Sequence, residues 1–369
     1  MRIAFDQQVF SWQEYGGISR YFCSLAAHLS KIPCTEVKIF APMHVNEYLP
    51  SLPATIRTGV KLRTPSKAGR VLRAASHLTA IALTRLFRPD IFHETYYSAK
   101  AYAPKGAACV VTAYDMVSER FPEMFIKDDP VTFWKKRSFA RADHIVCISE
   151  STRCDLLEFF DIPASKVSVV YLGFDAFNIQ DKEIQKQQNT PYLLYVGQRA
   201  AYKNFTNFIR AYASSEWLRR NVEILCFGGG AFTASEKELF AIHGLEPHLR
   251  QISGDDIMLA SCYQEAAALV YPSLYEGFGI PPLEAMSLGC PVVCSNTSSL
   301  PEVVGTAGEY FDPSSIDSIR FSVERVLQSS ERRSEIVVNG YERCKLFSWE
   351  KCAGETFAIY KNLVDLRVR

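Results

Sequence analysis

Two glutamates eight residues apart, Glu276 and Glu284, flank a glycine-bearing loop in the segment YPSLYEGFGIPPLEAMSLGCPVV, residues 271–293. The run Ala268 to Tyr271 reads as a strand, Glu276-Gly277-Phe278-Gly279 as a loop, and Ile280 with Pro281 and Pro282 as the entrance of a helix, where proline is tolerated. Glycines let backbone N–H groups approach a ligand closely, and a helix entrance adds unpaired donors and a positive dipole end, so this element suits an anion. Both carboxylates can accept hydrogen bonds from a polyhydroxylated ligand; alternatively, Glu284 serves only the helix dipole. Upstream, Arg199 and Lys203 follow the apolar run YLLYV at the end where a strand would terminate. They supply fixed positive charge, or are ordinary surface cations at a helix start.

The elements that must position these residues repeat along the chain. Short apolar runs at Ile3 to Phe5, Val37 to Phe40, Ile91 to His93, Cys109 to Ala113, Ile145 to Ile148 and Val167 to Tyr171 alternate with longer stretches of helical periodicity. Strands without polar-out positions, alternating with helices, predict a parallel sheet covered on both faces. After a polar stretch a second series begins at Tyr192 to Val196, followed by Val222 to Phe227, Leu249 to Ile252, Ala268 to Tyr271, Pro291 to Cys294 and Glu309 to Phe311. The expected fold is therefore α/β, with two Rossmann-like, doubly wound domains facing across a cleft: residues 1–172, a linker over 173–190, residues 191–347, and a final helix, 348–369, crossing back to the first domain. Ligands of such sheets bind at the carboxyl ends of the strands where strand order reverses.

Length and composition agree. A chain of 369 residues with 48% apolar and 22% charged residues is globular and of two-domain size. No apolar run is long enough to span a bilayer, and Arg2 to Phe5 reads as a buried strand rather than a signal peptide, so a cytoplasmic location is expected. The eleven cysteines form no C-x-x-C pair and several lie in apolar runs, which points to reduced core thiols. No structural metal is expected. The formal charge of +1 hides an asymmetry: residues 1–172 carry 22 basic and 16 acidic side chains, the remainder 19 and 24. Lys61, Arg63, Lys67, Arg70, Arg73, Arg85 and Arg88 fall within 61–89 with no carboxylate among them and surround HLTAIALT. Such a segment is either a helix resting on an anionic membrane surface or a solvated face of its own domain. Nucleic acid is not an expected partner, since no recognised binding motif accompanies these residues.

The element EGFGIPPLE, together with YGGISRYFCSLAAHL, VVTAYDM, RADHIVCISESTRCDLLEFF, YLLYVGQRAAYKNF and PEVVGTAGEYFDP, resembles the retaining glycosyltransferases of family 4, which have the GT-B fold. The resemblance runs nearly end to end, and the opening with TAYDMVSERFPEMF looks most like bacterial mannosyltransferases of O-antigen or capsule assembly. It implies that Glu284 binds the donor ribose, that Glu276 with Gly277, Phe278, Gly279 and Ile280 holds the donor sugar, and that Arg199 and Lys203 clamp the diphosphate. Gly16-Gly17, after the first strand, would come close to the donor phosphates, or is a simple turn; Arg20 would reach phosphate or the surface. The family often has histidine, taken to contact the donor sugar, where Tyr114 stands; the tyrosine does not carry that role over, but its hydroxyl can bond a sugar and makes it an acceptor-side candidate. Asp115 would position an acceptor hydroxyl or bond its own loop backbone, and His93 and Glu94, ending the preceding strand, are further acceptor-side candidates. Gly228-Gly229-Gly230 would admit a planar base or form a turn. The chain has no D-x-D pair, so metal-independent catalysis without a cofactor is expected.

The resulting expectation is a retaining hexosyltransferase acting in cell-surface polysaccharide (lipopolysaccharide O-antigen or capsule) biosynthesis, with Glu276, Arg199, Lys203 and Asp115 as catalytic residues. Its donor would be a nucleotide-diphosphate sugar, GDP-mannose first, and its acceptor a glycan or lipid-linked oligosaccharide at the inner face of the cytoplasmic membrane. Two alternatives stand beside it. A two-lobed sugar- or nucleotide-binding protein without catalysis would not need Arg199 and Lys203; a dinucleotide-dependent oxidoreductase would need a G-x-G-x-x-G turn with a following acid, which neither half supplies.

Overall fold

The computed structural model describes residues 1–62, 69–125, 129–175, 177 and 190–368. Most of the expected linker, 173–190, and Arg63 and Lys67 of the basic segment lie outside the described residues. The chain divides into two compact units, one of Met1–Arg120, Phe125–Gly173 and Ser348–Arg369, the other of Phe121–Met124 and Phe174–Phe347.

The first unit is built on a seven-stranded sheet: β1 (Arg2–Phe5), β2 (Glu36–His44), β3 (Arg57–Lys61), β4 (Ile91–Glu94), β5 (Ala108–Ala113), β6 (His144–Cys147) and β7 (Val167–Val169). All are parallel, in the order β3-β2-β1-β4-β5-β6-β7. Central strands are apolar because both faces are covered: Ile3, Ala4 and Phe5 have no exposed surface, and every residue of β5 is buried. β3 was not among the expected strands. It lies at the sheet edge, none of its residues is buried and Val60 is 69% exposed, so it lacks the apolar run that marks the others.

The helix Gly17–Leu29 places Tyr21, Phe22, Leu25, Ala26 and Leu29 inward. The C-terminal helix Trp349–Val368 packs against it and closes the unit. Trp349 meets Tyr21 at 6.1 Å between ring centroids, and the hydroxyl of Tyr360 lies 2.5 Å from His93 Nδ1. The other His93 nitrogen is 2.8 Å from the Thr112 hydroxyl. Gly173 lets the chain pass the start of this helix, since a Cβ there would stand 2.4 Å from the Trp349 backbone nitrogen.

The second unit carries β8 (Tyr192–Val196), β9 (Glu223–Phe227), β10 (Leu249–Ile252), β11 (Ala268–Tyr271), β12 (Val292–Ser295) and β13 (Gly308–Phe311), all parallel in the order β10-β9-β8-β11-β12-β13. Its core joins Leu193 and Tyr195 of β8 to Phe205, Phe208, Ile209 and Tyr212 of the following helix Phe205–Ala213, and to Val323 and Val326 of the helix Ile316–Gln328. Strand order reverses between β1 and β4 in one sheet and between β8 and β11 in the other, which makes those two crevices the natural ligand positions.

All eleven cysteines are free thiols, eight of them buried. Among the described residues no helix is long and apolar enough to cross a membrane.

Burial also sets a pH dependence. It pushes His93 down to about 3, so the ring is neutral in the folded chain, whereas an unfolded histidine protonates near 6.5. A lowered folded value means that the histidine's contribution is present above about pH 6.5 and is lost as pH falls toward 3. The stability difference between the wild-type chain and His93→Asn should therefore shrink by up to about 1.4 kcal/mol per pH unit below pH 6.5. Urea midpoints measured from pH 7 to 4 test this; a constant difference would contradict it.

Candidate functional site

The loop after β11 is shaped by its own backbone and by two serines. Gly279 sits at φ 103°, a conformation open to glycine, and caps the helix Ile280–Ser287. A Cβ there would lie 2.9 Å from Leu300 Cδ2. Ser299 Oγ donates to the carbonyls of Glu276 (2.9 Å) and Phe278 (2.8 Å), while the Glu276 amide donates to Ser298 Oγ at 2.9 Å. These bonds fold EGFG tightly and leave Phe278 in the core against Phe347.

Lys203, at the end of the single turn Ala201–Lys203 after β8, donates to both carboxylate oxygens of Glu276 at 2.7 and 2.8 Å. Ser273 Oγ adds a third bond to Oε1 at 2.6 Å. The pair thus spans the β8/β11 crevice, with side chains 20% and 10% exposed. Asn204, left-handed at φ 58°, turns the chain from Lys203 into the next helix and ties it down by donating to the Pro272 and Pro313 carbonyls.

Arg199, which also follows β8, takes other partners. Its Nε donates to Glu236 Oε1 at 2.6 Å, and its terminal nitrogens donate to the carbonyls of Gly228 (3.3 Å), Gly230 (2.9 Å) and Ala231 (3.1 Å). The three glycines all have positive φ, and a Cβ on Gly229 would lie 2.7 Å from the guanidinium. The glycine run therefore wraps an arginine, a use that the expectation of a base-admitting loop had not included. Glu236 is also the third residue of a helix capped reciprocally by Thr233. Burial alone would raise its carboxyl, but the bonds from Arg199 and Thr233 outweigh it and hold the group below the usual range.

Glu284 is buried in the middle of its helix and accepts from the Tyr263 hydroxyl at 3.0 Å. It is the fifth residue of that helix, whose first turn holds no acid, so service to the helix dipole does not explain it.

In the first unit Gly16 is extended and caps the helix Gly17–Leu29. Its carbonyl accepts from the Arg20 amide (3.1 Å) and the Ser19 hydroxyl (3.0 Å), while Gln13 Oε1 takes the Ser19 amide at 2.9 Å. A Cβ on Gly16 would collide with Gln13 at 2.1 Å; one on Gly17 would meet nothing within 4 Å. Tyr114 is buried and its hydroxyl donates to the Thr95 carbonyl at 2.9 Å. Asp115 is 40% exposed and accepts from the Val117 amide (3.2 Å) and Lys135 Nζ (3.3 Å), the loop-bonding alternative in part.

His93 and Glu94 depart from the acceptor-side role expected of them. Both are wholly inside the fold: His93 is held by Tyr360 and Thr112, and Glu94 by Arg141 at 3.1 and 2.5 Å. Burial outweighs the arginine and pushes the Glu94 carboxyl up to about 7. A strand-ending histidine in the centre of a sheet covered on both faces is a core group here, not a ligand contact.

Two centres were not singled out from the sequence. Asp6, at the end of β1, accepts from the Gln8 amide (3.0 Å), Gln8 Nε2 (2.7 Å) and the Thr95 amide (3.2 Å), and from the Thr95 hydroxyl, and so joins the loops after β1 and β4. Burial raises its carboxyl above the ordinary value despite these donors. Lys135 is 2% exposed and donates to Glu119 at 2.7 Å and to the Asp115 carbonyl at 2.9 Å. Its tripeptide, Lys135-Lys136-Arg137, gives no sign of which cation turns inward; Asp6, directly after an apolar strand, was the more readable of the two.

The two parallel-sheet, Rossmann-like units are those of the GT-B architecture. Residues 176–343 match the family "Glycosyl transferases group 1" and residues 15–176 match "Glycosyltransferase Family 4". Together the two models span residues 15–343, so the chain carries both of these glycosyltransferase domains. It is 29% identical to the O-antigen chain mannosyltransferase B of Escherichia coli over 378 residues, covering 94% of this chain and 96% of that one. Among solved structures, sucrose-phosphate synthase from Thermosynechococcus elongatus superposes with a TM-score of 0.76 at 19% identity, covering 99% and 100% of the two chains. Anabaena Alr3699/HepE, solved with UDP and glucose, gives 0.74 at 16% identity, covering 98% and 100%.

The Lys203–Glu276 contact should be measurable. A double-mutant cycle of Lys203→Ala and Glu276→Ala, read as unfolding free energy, is expected to give about 1 kcal/mol of coupling, since both groups are mostly buried yet reach solvent. Additive effects would show that the pair does not form in solution.

Proposed function

We propose that the chain transfers a hexose, mannose first, from a nucleotide-diphosphate donor, GDP-linked first, to a glycan acceptor of cell-surface polysaccharide, with retention of anomeric configuration and without a metal. The single observation that carries this reading is the Lys203–Glu276–Ser273 cluster, at the crevice where the second sheet reverses its order. Mannosyl transfer and O-antigen chains enter from the Escherichia coli relative. UDP and glucose in the Anabaena structure support a nucleotide-sugar donor as a class.

Lys203 is the cation that meets the diphosphate in this proposal. An arriving diphosphate replaces Glu276 as its anionic partner and releases that carboxylate toward sugar hydroxyls. Arg199 braces the glycine turn and Glu236, so its part is to position the loop, while Glu284 accepts from the ribose hydroxyls beside Tyr263. The backbone of Gly277 to Ile280 lines the sugar, the Phe278 side chain being in the core, and Gly16 and Gly17 offer the helix entrance of the first unit to phosphate. Asp115 lies at the end of β5 and orients the acceptor hydroxyl.

The bond between the anomeric carbon and the diphosphate oxygen breaks, the acceptor oxygen bonds to that carbon on the same face, and the acceptor proton passes to the departing phosphate oxygen. Glu276 is not the covalent nucleophile in this proposal: once Lys203 has turned to the diphosphate, the carboxylate accepts from sugar hydroxyls and keeps the Ser273 hydroxyl on Oε1. No ester on Glu276 or Asp115 should be trapped by mass spectrometry, and a chelator should leave the rate unchanged. Glu284→Ala should weaken donor binding about tenfold or more through the lost ribose hydrogen bonds; unchanged affinity by calorimetry would remove that role. A panel of nucleoside diphosphates in thermal shift identifies the base, because the bound one stabilises the chain by mass action.

The acceptor's membrane carrier gives the basic segment a partner. The helix Gly69–Phe87 buries Ser76, Ala80 and Thr84 and exposes Ala75, Leu78, Ala82, Arg85 and Leu86 on its other side, with Arg88 following. Leu78 and Leu86 are 68% and 79% exposed. An apolar stripe flanked by arginines fits the surface of an anionic bilayer. Vesicles containing anionic lipid should bind the chain at low salt, and Leu78→Glu with Leu86→Glu should abolish binding; equal binding by that variant excludes this surface.

A further inference from the structure

The crevice between β1 and β4 in the first unit holds a cavity of about 770 Å³ that none of the roles above uses. Its position follows the same topological rule as the Lys203–Glu276 crevice of the second unit: it is lined by the segments that leave the carboxyl ends of the two strands at which the order reverses. Trp12 comes from the short helix after β1, Tyr96 and Tyr102 from the loop after β4, and Trp134 from the helix Val131–Arg141. Trp12 is 54% exposed and meets Tyr96 edge-on at 5.1 Å. Exposed Trp12 and the half-buried Tyr96, Tyr102 and Trp134 are rigid apolar surfaces with polar tips, suited to a ligand that has both a hydrocarbon face and a polar edge.

The polar part of the cavity decides among ligand classes. Gln8 Nε2 donates to Asp6 and to the Tyr96 carbonyl (3.0 Å), and Gln7 Nε2 lies 3.0 Å from His77 Nδ1, while Ser76 donates to Gln7 Oε1 at 2.7 Å. This floor is a network of amides, hydroxyls and an imidazole, and burial lowers His77 below its ordinary value. Among the described residues Lys100 is the one cation of the lining. A phosphate would call for more positive charge, and a hydrocarbon chain would leave Gln8 Oε1 and His77 Nε2, which these bonds do not use, without partners. A neutral sugar ring satisfies both parts: its C–H face lies against the aromatics and its hydroxyls exchange hydrogen bonds with amide and hydroxyl groups.

We propose that this cavity is the acceptor subsite, taking a neutral pyranose of the acceptor glycan against Trp12 and Tyr96, with Gln8 and His77 reading its hydroxyls. This rests on the transferase reading and moves acceptor recognition away from His93 and Glu94, which are sealed in the core. Trp12 supplies the binding surface, and Asp6 is a positioning residue that holds Gln8 and Thr95 in register.

Two of the chain's four tryptophans line the cavity, so intrinsic fluorescence reports on it. The chain is titrated, without donor, with α-mannotriose, maltotriose and chitotriose, and separately with farnesyl phosphate. At least one trisaccharide should give a saturable change; Trp12→Ala should raise its dissociation constant about tenfold, and Trp217→Phe should leave that constant unchanged. With donor, Trp12→Ala should raise acceptor KM while leaving kcat and the thermal shift by nucleoside diphosphate as in the wild type. Saturation by farnesyl phosphate alone, by no trisaccharide, or equally in Trp12→Ala overturns the subsite. If the wild type binds a trisaccharide but no nucleoside diphosphate, the transferase reading fails and the sugar site stands.

Discussion

The ion pair between Lys203 and Glu276 is the constraint around which the second unit is arranged. A lysine after β8 and a glutamate after β11 can meet only because those strands are neighbours in the sheet although β9 and β10 separate them in sequence. Everything near the pair serves to hold it: left-handed Asn204 turns the chain immediately after the lysine, Gly279 bends it after the glutamate, and Ser273, Ser298 and Ser299 satisfy the loop's polar groups. Two mostly buried charges of opposite sign are tolerable together and costly apart, so the fold commits both side chains to one crevice. That same commitment makes the place responsive to a competing anion.

The first unit reaches a similar result with a single charge. Asp6 gathers donors from its own loop and from the loop after β4, so the crevice between β1 and β4 is tied by hydrogen bonds to a carboxyl that burial drives toward its neutral form. Aromatic residues rather than ions then make up the wall. One sheet topology thereby yields an ionic crevice in one unit and an aromatic one in the other, a division suited to two substrates of unlike chemistry.

Much of this was legible in the residues. The alternation of apolar runs marked twelve of the thirteen strands among the described residues, because strands covered on both faces must be apolar throughout; edge strand β3 escaped because its residues are half exposed. The E-x7-E element pointed to the loop and helix that carry Glu276 and Glu284. The sequence could not show which partner each charge would take. Arg199 and Lys203 lie four residues apart and looked like one clamp, yet one is held by Glu236 and a glycine turn 29 to 32 residues downstream, the other by Glu276 73 residues away. Long-range partners of this kind depend on crossover connections, not on local periodicity. The same limit hid His93: a histidine ending a strand looks available until a helix from the far end of the chain places Tyr360 on it.

That last helix has a bearing on how the molecule is made. Trp349–Val368 belongs to the first unit although the whole second unit intervenes in sequence. During synthesis the amino-terminal sheet must wait, with Tyr21 and His93 uncovered, until the inserted residues 174–347 and then the helix Trp349–Val368 itself have left the ribosome. The inserted half can mature early and alone, whereas its host is completed last, and an interruption of translation anywhere after Gly173 leaves a half-clad sheet for chaperones or proteases to deal with.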